Sequence, residues 1–138
     1  MGNYKLTDDK MRNYISKASV GDVSDAAGTD QWLITAPSAG VLRVDACFIA
    51  LTEATGAMTV DGTLSLVVGG NTVGTATYTD SAAIGSTFAF VPDGTNTTAA
   101  NPSIEFAAGD DILIEVGTQA TGVTTGDGDG FLFVDFGL

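Results

Sequence analysis

The sequence predicts an all-β fold, an antiparallel sandwich of roughly eight strands preceded by an N-terminal arm with a short helix. Three observations carry that prediction. Of 138 residues, 18 are Gly and 19 are Thr against three Lys, a composition rich in turn and strand formers and poor in helix formers. Short apolar runs, several of them alternating, recur from Gln31 to Phe136 and are separated by glycine-bearing turns. Helical signal is confined to the N-terminus, so parallel βαβ architectures are excluded. The length suits one domain that buries roughly two thirds of its unfolded-state surface. With 44% hydrophobic and 16% charged residues, the chain is far from the composition of a disordered one.

Charge divides the chain into an arm, residues 1–30, and a body, residues 31–138. Residues 1–18 carry Lys5, Lys10, Arg12 and Lys17 against Asp8 and Asp9, a net +2, while the remainder sets Arg43 against fifteen acids, a net -14. Within the arm, Thr7 is placed as an N-cap, with Asp8 and Asp9 in the first turn where the helix dipole favours anions. Leu6 against Met11 would act as a hydrophobic staple. Leu6, Met11 and Ile15 form a thin apolar stripe, and a helix so short gains stability only by packing on something else. The Ser-, Gly-, Asp- and Ala-rich stretch from Ser19 to Asp30 reads as a linker or extended arm.

The body then follows in order. Gln31 to Thr35 is a short strand stopped at Ala36-Pro37. Val41 to Thr52 reads as one long strand, with Leu42, Val44, Ala46, Phe48 and Ala50 on its inner face. Gly62 to Val68 alternates with Leu64, Leu66 and Val68 inward, and Gly69-Gly70-Asn71 turns it into Thr72 to Thr79. Phe88 to Val91, Ser103 to Phe106, Asp111 to Gly117 and Gly130 to Phe136 complete the set. Two sheets of four, as in a jelly roll, fit best; an immunoglobulin-like sandwich is the rival, without its paired cysteines.

Several strands carry apolar residues on both faces. Ile49 and Leu51 fall opposite the inner face of the long strand, Leu113 lies between Asp111 and Glu115, and Phe131 and Phe133 precede Asp135. Edge twist or cover by a loop or by the arm is one reading. Burial by sister copies is the favoured one, and the lack of lysine in the body, a common device against edge association, agrees with it.

Chemistry-bearing patterns are sparse. The chain has no His, one Cys and a net charge of -12, which removes the commonest general base, disulfides, thiolate zinc sites and a broad nucleic-acid surface. Cys47 reads as a small buried hydrophobe. Asp127 and Asp129 in Gly126-Asp127-Gly128-Asp129-Gly130 would help hold calcium, but a tight turn is the preferred reading. Asp111 and Glu115 would make a hydrolase pair, although solvated acids explain them as well. No catalytic residue, cofactor or metal is assigned, and an enzyme is not expected. The first residues lack a secretory apolar core and no run is long enough to span a membrane, so a soluble, cytoplasmically made chain is expected.

Strand order adds a resemblance. Trp32-Leu33-Ile34-Thr35-Ala36-Pro37-Ser38-Ala39-Gly40 leads into the long strand, followed by the Gly62 to Val68 hairpin. Next comes the step Phe106-Ala107-Ala108-Gly109-Asp110-Asp111-Ile112, and the chain closes on Gly130-Phe131-Leu132-Phe133-Val134-Asp135-Phe136. Over residues 31–138 this resembles the small jelly-roll decoration (cement) proteins of tailed-phage capsids, a group similar in outline to trimeric tumour-necrosis-factor and C1q-like heads. The resemblance implies a homotrimer on the virion surface that joins major capsid proteins, with no nucleic-acid or membrane partner. Ile49, Leu51, Leu113, Phe131 and Phe133 are then the expected oligomer interface. Leu6, Lys10, Met11, Arg12, Ile15 and Lys17 are the expected capsid-binding arm. The alternative is a fibre-head or lectin-like module whose Trp32 and Phe131 stack on sugars.

Overall fold

A computed structural model describes residues 17–21, 23–122 and 126–136. Among them the chain is all-β, and every strand pairing is antiparallel. In chain order the strands are β1 (Lys17–Val20), β2 (Asp30–Thr35), β3 (Gly40–Arg43), β4 (Phe48–Leu51), β5 (Met58–Val60), β6 (Thr63–Val68) and β7 (Asn71–Thr77). They continue as β8 (Thr87–Ala89), β9 (Val91–Pro92), β10 (Ser103–Phe106), β11 (Asp111–Thr118), β12 (Thr121–Gly122), β13 (Gly128–Phe131) and β14 (Val134–Asp135).

A five-stranded sheet runs β2-β11-β6-β7-β9, a four-stranded sheet β1-β13-β4-β8, a three-stranded sheet β10-β3-β14 and a small ladder β12-β5. The alternation read in β6 and β11 holds: Leu64, Leu66, Val68, Ile112, Ile114 and Val116 are all buried. Their turn, Gly69-Gly70 after β6, has both residues at positive φ (56° and 82°), as a tight hairpin matched to strand twist requires. Facing them are Ala18, Ile49, Leu51 and Phe88 of the four-stranded sheet, with Tyr78 stacked on Phe88 at 4.9 Å. The two layers approach closely at Gly130, where a Cβ would lie 2.9 Å from Ile114 and 3.4 Å from Ile49.

The expected long strand is broken. Between β3 and β4 the chain makes a 3-10 turn over Val44–Ala46, closed by the Cys47 N–H donating to the Val44 carbonyl. Leu42 and Val44 point inward before the turn, and Cys47, Ile49 and Leu51 do so after it. Val44 and Cys47 are three positions apart where successive inward residues of a strand are two apart, so the alternation changes phase. Phe48 and Ala50, expected inside, are half-buried on the outer face.

The last strand is interrupted opposite the same place, between β13 and β14. Here the Arg43 N–H donates to the Phe133 carbonyl and the Phe133 N–H donates to Cys47 Sγ at 3.2 Å. The four- and three-stranded sheets thus meet at a shared bend, bridged in part by a thiol in place of a backbone carbonyl.

The body also begins earlier than residue 31. β1 pairs with β13, and Ala18, Val20 and Val23 are buried in the core, so the stretch expected to be a linker supplies an edge strand and core side chains. The expected helix after Thr7 lies on residues outside the described ones, except that Lys17 and Ala18 are strand.

Candidate functional site

Two outer faces remain once the core is assigned. On the five-stranded sheet, Leu33, Leu113 and Val67 stand in register across β2, β11 and β6. Leu33 is 48% exposed, Leu113 half-buried and Val67 almost covered, and Val91 on β9 is exposed in the neighbouring row. Asp111 and Glu115 flank Leu113 on this face, as strand period requires, and Thr35 Oγ1 donates to Asp111 Oδ1 at 2.8 Å. Asp111 is exposed and Glu115 half-buried on this strand surface, with Leu113 between them.

On the four-stranded sheet, Phe131 and Phe48 are directly paired, their rings stacked at 4.9 Å and 18°. Ala89 follows in the same row and Phe133, 39% exposed, lies beyond Phe131. At the bend, Arg43 and Asp45 form a two-pronged ion pair at 2.7 and 3.2 Å. The hydrogen bond from Arg43, with its charge, holds the Asp45 carboxyl below its usual range against a small desolvation effect.

The expected interface is therefore corrected in part. Ile49 and Leu51 are 0% and 3% exposed, packed under their own chain because the 3-10 turn reversed the phase of β4. Leu113, Phe131 and Phe133 do point outward. Sequence reasoning missed Phe48 and Leu33. Leu33 was findable, since Trp32 and Ile34 on either side of it pack against the core. Phe48 was hidden by the turn, which contains neither Gly nor Pro. Of the expected arm, Leu6, Lys10, Met11, Arg12 and Ile15 lie outside the described residues; Lys17 opens β1 in register with Phe131. Trp32 is half-buried against the core on β2 of the five-stranded sheet, whereas Phe131 lies on β13 of the four-stranded sheet.

The glycine-aspartate run is not the tight turn preferred from the sequence, because Gly128–Gly130 lies within β13. Gly128 and Gly130 are inward positions of β13, where a Cβ on Gly128 would lie 2.9 Å from both the Ala50 carbonyl and Ile49. The Asp127 backbone carbonyl accepts from the Thr52 and Glu53 N–H groups and the Thr52 hydroxyl. Among the described residues no three His, Cys, Asp or Glu side chains are grouped to hold a metal ion.

Cys47 is 1% exposed; its thiol donates to the Arg43 carbonyl and accepts from Phe133. Burial pushes its pKa up to about 12, with the Phe133 N–H opposing and the Asp45 charge adding to the rise. Such a thiol is not a nucleophile at neutral pH.

Two turns show what the remaining acids do. Asp110 Oδ2 accepts from the Ala107 N–H at 2.9 Å while the Asp110 N–H donates to the Ala107 carbonyl at 3.2 Å, closing a β-turn through Gly109 (φ 90°), which accounts for the Phe-x-x-Gly-Asp step as a turn braced by its own aspartate. Asp93 accepts from the N–H groups of Asn96 and Thr97 and from the Thr97 hydroxyl, which also donates to the Val73 carbonyl. Both acids shape loops. A scan against protein-family models returns no match for the chain, and a search of curated proteins returns no relative.

Proposed function

We propose that the protein is a structural virion component: a jelly-roll capsid decoration (cement) protein that sits on the outside of a phage head as a trimer and stabilises contacts between major capsid proteins. The observation that carries the reading is the uncovered apolar surface on the five-stranded sheet, with Leu33 48% exposed beside outward Leu113 and with Val91 nearby. A solitary sandwich tends to make such positions polar, whereas a subunit interface covers them. Arg43 is the only cationic residue from position 18 onward, so the body lacks the lysines that keep β surfaces apart. The resemblance of residues 31–138 to phage cement proteins, read from the order of strand candidates in the sequence, supports the choice of partner.

Physically, one such contact need not be strong. Three copies on a repeating shell bind together, and a modest affinity per copy is multiplied by the high effective concentration of the second and third contacts. The acidic body outside that subunit interface would select basic surroundings on the shell. Heads carrying the protein are expected to release their DNA at a higher temperature than heads without it. Identical release curves would overturn the proposal.

A further inference from the structure

We infer that the outer face of the four-stranded sheet binds a neutral pyranose sugar, seated on the Ala89 side of the Phe48 ring with its hydroxyls directed to the Arg43–Asp45 pair. The site does not rest on the cement reading, because it uses the other sheet from the Leu33–Leu113 face. Its shape follows from strand register. Phe48 lies between Phe131 on β13 and Ala89 on β8. Phe48 and Phe131 stack face to face at 4.9 Å, so each ring has its other face turned away from the pair. For Phe48 that face is turned toward β8, where the cross-strand neighbour is the exposed methyl of Ala89. The next outward row, Ala50 and Thr87, is also small. A ring thus stands as a wall beside a floor of methyl groups, with the exposed Thr87 hydroxyl at one end. At the other end the Phe90 N–H donates to the Cys47 carbonyl, and β9 packs beside the 3-10 turn that carries Asp45.

Two features select the ligand. The Arg43–Asp45 pair is 56% and 39% exposed, and its two contacts use only two of the five guanidinium N–H groups and one lone pair on each carboxylate oxygen. Donors and acceptors are therefore presented side by side, which suits adjacent hydroxyls, each a donor and an acceptor at once. The C–H face of a pyranose matches the Phe48 ring in the same way that apolar edges pack on aromatic faces elsewhere. Charge makes the second selection. Residues 19–138 set one cation, Arg43, against fifteen acids, so an anionic sugar, a nucleic acid or the same face of a second copy is repelled. A cationic partner gains little, since Asp45 is already paired with Arg43 and Asp129 on this face is engaged as well. A neutral polyol with one apolar face fits both constraints.

The test titrates the isotope-labelled full chain with lactose, maltotriose, mannotriose and chitotriose, and with sialyllactose as an anionic counterpart, reading backbone amide shifts. At least one neutral saccharide is expected to give saturable shifts at Phe48, Thr87, Ala89 and Asp45, with none at Leu33 or Leu113. Phe48→Leu keeps apolar bulk and loses the ring face, and should weaken that binding about two- to tenfold. Arg43→Gln, at an exposed position, should weaken it about tenfold through the lost charge-assisted bonds. Val60→Ser, exposed on the separate β12-β5 ladder, should leave it unchanged. No saturable shift with any neutral saccharide, shifts centred on the five-stranded sheet, or undiminished affinity in either Phe48→Leu or Arg43→Gln would overturn the proposal. Tighter binding of sialyllactose than of every neutral sugar would do so too. DNA release from heads is read separately, so identical release curves would sink the cement reading and leave this result standing.

Discussion

A Cys47 thiol that donates to one carbonyl, accepts one amide and has a pKa near 12 has almost no thiolate to offer. Iodoacetamide at pH 8 is expected to leave Cys47 unmodified in the native protein and to alkylate it fully after denaturation; rapid native labelling would show that the bend opens. Asp93 is also defined by its bonds. Desolvation works against its charge, but the N–H groups of Thr97, Asn96 and Thr95 outweigh it and hold the carboxyl below its usual value. A depressed pKa means that the charge stabilises the fold above the unfolded-state pKa of about 4, and that this contribution fades as pH falls through the folded-state value. The Tm advantage over Asp93→Asn should therefore be present at pH 6 and shrink in strong acid. Thr97, 1% exposed, caps the same loop from below, and Thr97→Val should cost about 1 kcal/mol in denaturant unfolding.

At the scale of elements, β13 shows why two of its glycines are where they are. A methyl on Gly128 meets a backbone carbonyl that has nowhere to go, whereas one on Gly130 meets only the ends of Ile114, Ala18 and Ile49. Gly128→Ala is expected to destabilise by about 1–3 kcal/mol, and Gly130→Ala by less; the reverse order in matched unfolding curves would mean that the sheets do not approach as described. These inward glycines also explain what the sequence left hidden. Alternation in β6 and β11 was legible because nothing interrupts it. In Val41 to Thr52 the pattern was real on both sides of residue 45, but a three-residue turn without Gly or Pro exchanged the faces between them, misplacing Ile49, Leu51 and Phe48 together. The glycine-aspartate run looked like a turn because its inward positions have no side chains to alternate. β1 was missed because Lys17 to Val20 is too short to show a period, and only pairing with β13 makes it a strand.

For the whole molecule, two opposed outer faces each hold apolar residues. The class of the fold was visible in composition and turn spacing. The outward set was only half visible, since Leu113, Phe131 and Phe133 follow simple alternation while Leu33 and Phe48 depend on which neighbours reach the core. The central claim is that the Leu33–Leu113 face is covered by sister copies. Native mass spectrometry of the full chain beside Leu113→Glu measures this most directly. The account predicts an oligomer, with a trimer as the principal species, for the unmodified protein. It predicts a folded monomer for Leu113→Glu. A monomer at every concentration before any substitution, or an oligomer indifferent to a buried charge at Leu113, would contradict it.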